Sequence, residues 1–399
     1  MFLQFAYVSE LANILCVLIT TWIESQHVFL KHALNYPRET AVVQWFCLSD
    51  DRAPRSPRNN RQMPASVSAP HIGYAAMLER FHPLEVLAFA QHAESRGFRG
   101  VMAADHYQPW IPQQGQASFV WNVLSALGQT TSGDLGTGVT APTFRWHPAM
   151  VAQASATLAA MNPGRHWLGL GSGEAINEHV VGQYWPEAPE RINRMFEAVE
   201  IIKKLFASGL SGKDVRHDGQ FYRLESTRLW TMPETAPEIL VATAGPVAAK
   251  RAGKAVDGLI TEAAALEKID LLLKRFAEGA REAGRDTSKQ SRVLRLHLSW
   301  AETDEQAMKN ALSEWPNGGL RFAKNDIRSP FELEQLARMV RPEDFEGRMP
   351  VSADPDVHRA YIQSYLDLGF DRIYLHNVGR NQLEFLDVFG RDVLPALRK

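Results

Sequence analysis

Asp105 and His106 place a carboxylate beside an imidazole directly after Gly100–Ala104, a short apolar run that is typical of a buried strand. Such a pair at the end of a strand binds ligands or moves protons in general acid–base chemistry. Pro109 follows and prevents any regular continuation. Taken alone, the pair is equally compatible with a plain turn, in which Asp105 caps the loop and His106 is only exposed.

Small and polar residues stand at the ends of four further strand-like segments. They are Gly138, Val139 and Thr140; Gly171, Ser172, Gly173, Glu174 and Asn177; Thr243, Ala244 and Gly245; and Glu262. The glycines of the second group let a flat ligand approach the backbone closely, although a flexible turn explains them equally well in isolation. Because the carboxyl ends of parallel strands share one mouth of a barrel, we expect a common site there.

Two further features favour an anionic ligand. Pro246 opens a helix after small residues, which leaves bare N–H groups and a positive dipole for a phosphate, although capping by Thr243 is an equally good interpretation. Lys324 and Arg348 flank a long segment predicted to be irregular, 315–345, and could clamp an anion, although isolated basic residues are mostly solvated. The histidines show no paired metal-ligand spacing, so we expect no metal.

Hydrophobic periodicity predicts eight strands followed by helices, which indicates a (β/α)8 TIM barrel with insertions. The predicted strands are His71–Tyr74, Gly100–Ala104, Leu135–Val139, His166–Leu170, Glu238–Ala242, Gly258–Thr261, Val293–Trp300 and Arg372–His376. The predicted helices are Pro83–Arg96, Ser118–Gln129, Pro148–Met161, Glu190–Phe206, Pro246–Val256, Glu267–Ala283, Thr303–Glu314, Asp356–Leu368 and Gln382–Leu397, and a hairpin is expected at Val215–Tyr222, turning at Asp218-Gly219. An open doubly wound sheet is the alternative, but the early glycine-rich turn common in that fold is missing.

Composition bounds the possible functions. The chain has 399 residues and a formal net charge of −2, which is ordinary for a globular enzyme and argues against a nucleic-acid surface. Residues 1–65 differ from the rest: Leu11–Ile23 is apolar but about half the length of a membrane span, and Asp50–Pro70 is typical of a disordered linker. This extension is a weak anchor, a docking appendage or a segment without function. We favour the last, with a working domain at 66–399.

At these motifs the chain resembles the luciferase-like, deazaflavin-dependent oxidoreductases, and within them the coenzyme F420-dependent glucose-6-phosphate dehydrogenase group. The segments that carry the resemblance are Asp105-His106-Tyr107-Gln108-Pro109-Trp110, Gly136-Thr137-Gly138-Val139-Thr140-Ala141-Pro142-Thr143, Gly169-Leu170-Gly171-Ser172-Gly173-Glu174-Ala175-Ile176-Asn177-Glu178, the hairpin Asp218-Gly219-Gln220-Phe221-Tyr222-Arg223-Leu224, and Ala244-Gly245-Pro246. They span the chain from His71 to its end, and residues 1–65 have no counterpart.

The resemblance implies a barrel that binds coenzyme F420 and transfers a hydride. It implies that His106 takes the hydroxyl proton of the substrate, that Glu174 gives a proton to the reduced deazaflavin, and that Trp110 flanks the reacting centre. It further implies a non-prolyl cis peptide at Gly138-Val139. The residues it places around the coenzyme are Asp105, Gly138, Val139, Ala141, Ser172, Gly173, Asn177, Ala244, Gly245, Val247 and Ala248.

The sequence departs from the family pattern at two residues expected to bind the substrate and at one expected to contact the coenzyme. Lys324 and Arg348 match two basic residues that hold the sugar phosphate, but Ala265 stands where the family has a third, a lysine, and Glu262 where it has a threonine. A carboxylate there would repel a phosphate. Ala141 likewise replaces a threonine that contacts the coenzyme.

Several functions therefore stay open. The donor is glucose 6-phosphate or a related sugar phosphate, or else an unphosphorylated or larger alcohol. An FMN-dependent monooxygenase and a non-catalytic flavin-binding or scaffold protein are the rival functions. We expect a cytoplasmic homodimer that acts on a small molecule, with no nucleic-acid partner and no stable membrane association.

Overall fold

The computed structural model describes residues 70–398, so the predicted extension 1–65 and nearly all of the predicted linker lie outside the described residues. The strands are β1 His71–Ala76, β2 Gly100–Ala103, β3 Asp134–Thr137, β4 His166–Leu170, β5 Val215–Asp218, β6 Arg223–Thr227, β7 Glu238–Ala242, β8 Gly258–Glu262, β9 Ser291–Trp300, β10 Val351–Ser352 and β11 Arg372–Asn377. Parallel pairing runs in the order β11-β1-β2-β3-β4-β7-β8-β9, and β9 pairs with β11 to close the barrel. The predicted (β/α)8 barrel is confirmed.

Helices surround this barrel and connect its strands. They are α1 Pro83–Ser95, α2 Val120–Thr130, α3 Pro148–Met161, α4 Ala175–Glu178, α5 Ala188–Ser211, α6 Pro246–Ala255, α7 Leu266–Glu282, α8 Asp304–Glu314, α9 Pro330–Ala337, α10 Pro355–Asp367 and α11 Gln382–Val388. Local chemistry explains where they begin. At α1, the His82 ring accepts from the N–H of Leu84 while the Glu85 carboxylate accepts from the N–H of His82, and Pro83 needs no partner in the first turn.

The barrel interior is closed by side chains. One interior cluster takes a residue from each of seven strands, namely Ala75, Met102, Trp167, Leu240, Ile260, Val293 and Tyr374. The remaining strand, β3, contributes Gly136, where a Cβ would lie only 1.9 Å from Cζ2 of Trp167. Because this layer fills the barrel, a ligand has room only at a mouth, and the polar strand ends lie at the C-terminal one.

Several predicted elements differ from the structure, among them the helix predicted at Glu190–Phe206, which is α5, Ala188–Ser211. β3 ends at Thr137 rather than Val139, and the second hairpin strand is β6, beyond the predicted end at Tyr222. The segment predicted as irregular contains α9, whose start is capped by Ser329 accepting from the N–H of Phe331.

The closing helix also departs from its predicted course. It leaves α-helical geometry at Val388 and continues as a π-turn, Phe389–Val393, and a short 3₁₀ turn, Leu394–Ala396. Gly390 lies in this π-turn against the backbone of Arg96, where a Cβ would lie 2.6 Å from the carbonyl oxygen. Close packing against the connection between α1 and β2 therefore accompanies the change of helix type.

Within the part of the chain that the structure describes, no helix combines the length and the apolar character needed to cross a membrane.

Candidate active site

His106 and Glu174 meet at the mouth of the barrel. His106 follows β2 and Glu174 follows β4, and His106 Nε2 lies 3.7 Å from Glu174 Oε2. The His106 side chain is 9% exposed and the Glu174 side chain 30%. The prediction that these strand ends bring the two side chains together is confirmed in its geometry.

Glu79 holds the other side of the His106 ring. Its Oε1 lies 3.0 Å from His106 Nδ1, and its side chain is only 2% exposed. Glu79 and His106 Nδ1 are thus within ion-pair distance, and Nε2 on the other side of the same ring faces Glu174. Sequence reasoning missed Glu79. The signal was a carboxylate in the apolar stretch after β1, next to the fully buried Leu78.

The protonation of Glu174 is shifted by its surroundings. Burial raises the pKa of the Glu174 carboxyl above its ordinary value, and His106 offsets this only in part, while Glu262 adds to the rise. Glu174 therefore retains its proton to higher pH than an exposed glutamate does. The mouth thus places the His106 imidazole beside a carboxyl group whose pKa is raised.

Aromatic rings line the mouth beside this pair. Trp110 meets the His106 ring edge-on at 5.0 Å between centroids, and Trp315 meets Trp110 at 6.0 Å. His297 stacks on Trp315 at 4.9 Å. Trp110, predicted to flank the reacting centre, lies beside His106. Trp315 and His297 were missed because they come from the end of α8 and from a strand interior.

The ends of β3 and β4 form a flat bed of backbone. The Gly138–Val139 peptide bond is cis, as expected. At Gly171 a Cβ would lie 2.7 Å from Cγ2 of Val139, and Gly173 has φ +87°, a conformation that glycine adopts without strain. A bed that excludes side chains suits a planar ring lying against the backbone. Ser172 continues this bed. Ala141, which is 7% exposed, lies buried four residues after the end of β3.

Buried polar contacts fix the loops under the bed. The Asp105 side chain accepts from Thr140 Oγ1 at 2.5 Å and from Trp146 Nε1 at 3.1 Å, and it lies 3.3 Å from Arg145 Nη2. Asn177 Oδ1 accepts from the N–H of Tyr107 at 2.9 Å. Asp105 therefore anchors the bed rather than capping an exposed loop, and Asn177 ties the loop that carries His106 to α4.

The N-terminus of α6 is open. Its capping residue is Gly245, which has no side chain to offer, and the Thr243 hydroxyl accepts from the N–H of Gly245 rather than from the first turn. The interpretation of Thr243 as the helix cap is wrong. Ala244 is exposed and Val247 is 79% exposed, so the first-turn N–H groups of Val247 and Ala248 face outward with a positive dipole, as a phosphate requires.

Glu262, the last residue of β8, forms an ion pair with Arg295 of β9, and its Oε1 lies 3.5 Å from His297 Nε2. Burial alone would raise the pKa of Glu262, but Arg295 and His297 outweigh it and hold the pKa well below its ordinary value. Arg295 and His297 were missed because they were taken only as part of a strand. Their alternation with Leu294, Leu296 and Leu298 was the available signal.

The remaining predicted substrate residues, Lys324, Arg348 and Ala265, lie on three different segments. Lys324 Nζ donates to the carbonyl of Asn317 at 2.9 Å and lies 5.8 Å from the Trp110 ring centroid, so it belongs to the mouth. Arg348 Nη1 donates to the carbonyl of Leu320 at 2.9 Å. Ala265 is exposed at the start of α7 and contributes no charge. Across residues 70–398, no group of three or more His, Cys, Asp or Glu side chains is placed to hold a metal ion.

The (β/α)8 barrel thus carries His106 and Glu174 side by side at its C-terminal mouth, close to glycine-rich strand ends and near an uncapped helix N-terminus. Residues 61–372 match the model of the luciferase-like monooxygenase family. The chain belongs to that family.

Characterised relatives refine this assignment. An F420-dependent glucose-6-phosphate dehydrogenase of Microbacterium testaceum (strain StLB037) is 37% identical over 331 residues, which cover 82% of this chain and 97% of the relative. The enzyme of the same name from Nocardia farcinica (strain IFM 10152) is 38% identical over 332 residues, 82% of this chain and 98% of the relative. Among solved structures, an F420-dependent secondary alcohol dehydrogenase in complex with an F420–acetone adduct has a TM-score of 0.78 and 32% identity, covering 83% of this chain and all (100%) of that one.

Proposed function

We propose that this protein is a coenzyme F420-dependent dehydrogenase that takes a hydride from the C–OH carbon of a sugar phosphate or another alcohol. The observation that carries the proposal is His106 Nε2 facing Glu174 Oε2 at 3.7 Å, beside the flat bed. The relatives named F420-dependent glucose-6-phosphate dehydrogenase and the structural neighbour named F420-dependent secondary alcohol dehydrogenase support it.

The residues of the mouth have different roles in alcohol oxidation. His106 Nε2 accepts the hydroxyl proton of the donor as the carbon loses its hydride, and the donor becomes a carbonyl compound. The Glu79 carboxylate orients the ring and stabilises the imidazolium that forms. Glu174 holds a second proton within reach of the bed, and Trp110 packs against the base and excludes water. When bound, coenzyme F420 supplies the acceptor for the hydride.

The chain also fits the shape of the coenzyme. Gly138, Val139, Ala141, Ser172 and Gly173 would lie along its ring, with Val139 packed closely against Gly171. Ala244, Gly245, Val247 and Ala248 would hold its phosphate at the open end of α6. Asp105 and Asn177 would support the bed from below.

We further propose a working domain at 66–399 that forms a cytoplasmic homodimer. The domain is supported by the relatives, whose matches take in 97% and 98% of their own length but only 82% of this chain. The homodimer and the location rest on the family resemblance alone.

The experiment that tests the function follows the absorbance of oxidised coenzyme F420 with purified protein and a panel of sugar phosphates and plain alcohols. The expected result is donor-dependent loss of absorbance that His106→Ala abolishes. Oxygen uptake with reduced FMN that depends on an added substrate would replace this function by a monooxygenase. Absence of turnover with every donor, or turnover unchanged in His106→Ala, would favour a non-catalytic flavin-binding protein.

A further inference from the structure

We call the part of the mouth that carries the predicted substrate residues Glu262, Lys324 and Arg348 the substrate side. Glu262 is held there by its neighbours on β9. It lies opposite Arg295 in the β8–β9 register, and the Arg295 guanidinium donates to its Oε1. His297 Nε2 lies 3.5 Å from the same oxygen. The Glu262 side chain is nevertheless 55% exposed, so its carboxylate also faces the open mouth.

The cations of this side are already engaged. Arg295 reaches from Glu262 to the carbonyl of Gly138 at 3.4 Å, and so ties the substrate side to the bed. Lys324 and Arg348 each donate to a backbone carbonyl at 2.9 Å. Glu262 lies close enough to Lys324 for each to shift the titration of the other. Glu262 therefore offsets part of the positive charge on this side of the mouth, together with Glu174, which also acts on Lys324 and Arg295.

We propose that Glu262 is the internal counter-ion of this mouth, and that the donor is an uncharged alcohol whose hydroxyl groups bind to it, rather than a phosphate ester. This inference rests on the proposed function. A phosphate dianion entering beside Glu262 meets a like charge, which disfavours its binding. A neutral hydroxyl meets a hydrogen-bond acceptor instead, because the Glu262 side chain is 55% exposed and its carboxylate can accept from it.

Removal of the Glu262 carboxylate is expected to change the affinity of the mouth for anions. Without Glu262, Arg295 loses its ion-pair partner, and the positive charges of Arg295 and Lys324 become more favourable for an entering anion. Glu262→Thr removes the carboxylate, and Glu262→Gln keeps its shape and an oxygen for Arg295. The matched control is Glu225→Gln, which removes one exposed carboxylate from the β6 strand of the hairpin, outside the barrel.

The first measurement is calorimetric titration of the full-length protein with inorganic phosphate, without coenzyme. The wild type and Glu225→Gln are expected to bind phosphate at least tenfold more weakly than Glu262→Thr and Glu262→Gln. The second measurement is kcat/KM for a matched pair of donors, an uncharged sugar and its 6-phosphate ester. The wild type is expected to favour the uncharged donor by at least tenfold, and each Glu262 variant to shift that ratio at least tenfold toward the phosphate.

Equal phosphate affinity in the wild type and both Glu262 variants would overturn the inference, as would a wild-type preference for the phosphate ester that the variants leave unchanged. Failure of the proposed function is a different result, in which no donor reduces coenzyme F420. The phosphate titration stays readable in that case because it requires no turnover. If Glu262→Thr does not fold, Glu262→Gln alone decides.

Discussion

Glu79→Gln tests whether the buried carboxylate supports His106 as the base. The atoms Glu79 Oε1 and His106 Nδ1 are 3.0 Å apart, and both side chains are nearly buried. When Nε2 takes the hydroxyl proton, the ring becomes a cation beside an anion. Unit charges about 4 Å apart attract each other by about 4 kcal/mol at an effective dielectric constant near 20.

Glutamine keeps part of this interaction. A neutral hydrogen bond to its amide oxygen returns about 1 kcal/mol, so about 2–3 kcal/mol of transition-state stabilisation is lost, because some relaxation accompanies the change. At 1.36 kcal/mol for each tenfold change, kcat is expected to fall roughly 30- to 150-fold. The Kd for coenzyme F420 is expected to stay within threefold, because Glu79 lies on the far side of the His106 ring from Glu174.

The assay is stopped-flow single turnover, followed by the absorbance of coenzyme F420 at saturating donor. The matched control is Glu197→Gln, which changes a second partly buried Glu–His pair, with His217 Nε2 at 3.3 Å, away from the mouth. Its kcat is expected to stay within twofold of the wild type. A fall of less than threefold in Glu79→Gln, or an equal fall in Glu197→Gln, would refute a role of Glu79 in the reaction.

Three further outcomes follow from the site. His106→Ala is expected to lower kcat by about 10²- to 10⁴-fold while the coenzyme Kd, measured by fluorescence titration, stays within threefold; a matching loss of coenzyme binding would contradict a role as base. Because burial raises the pKa of Glu174, its acid form persists to higher pH, and kcat is expected to fall as pH rises through that raised pKa. If the Glu174→Gln variant shows the same fall in kcat with rising pH, the fall belongs to another group. Gly171→Ala brings a Cβ to 2.7 Å from Cγ2 of Val139. We therefore expect a loss of about 1–3 kcal/mol in the free energy of unfolding, measured by denaturant titration, and at least tenfold weaker coenzyme binding, measured by fluorescence titration. If neither value changes, the bed tolerates a side chain at this position.

The barrel could be predicted because buried parallel strands have continuous apolar runs with little ambiguity. The runs at Gly100–Ala103, His166–Leu170 and Glu238–Ala242 appear in the structure within one residue of their predicted limits. The α9 helix was missed because eight residues, Pro330–Ala337, give too short a window for helical periodicity. The break in the closing helix was missed because it accompanies the packing of Gly390 against Arg96, a contact between distant parts of the chain.

The candidate site likewise contains residues that could be predicted from the sequence and residues that could not. Asp105, His106 and Glu174 could be placed at the mouth because each comes within four residues of the end of a strand, and the strand ends lie at that mouth. Glu79 could not be assigned as the partner of His106, because it lies in an irregular connection that has no periodicity to orient it.

The amino-acid sequence by itself determined the barrel, the strand ends that reach its mouth and the glycines of the bed, because each follows from local periodicity or from the space that a backbone position allows. Only the tertiary structure decided that Glu79 supports His106 and that Glu262 neutralises Arg295. Those pairs depend on how neighbouring strands and their connections are aligned when the barrel closes. Closure sets distances between side chains that neither strand encodes alone.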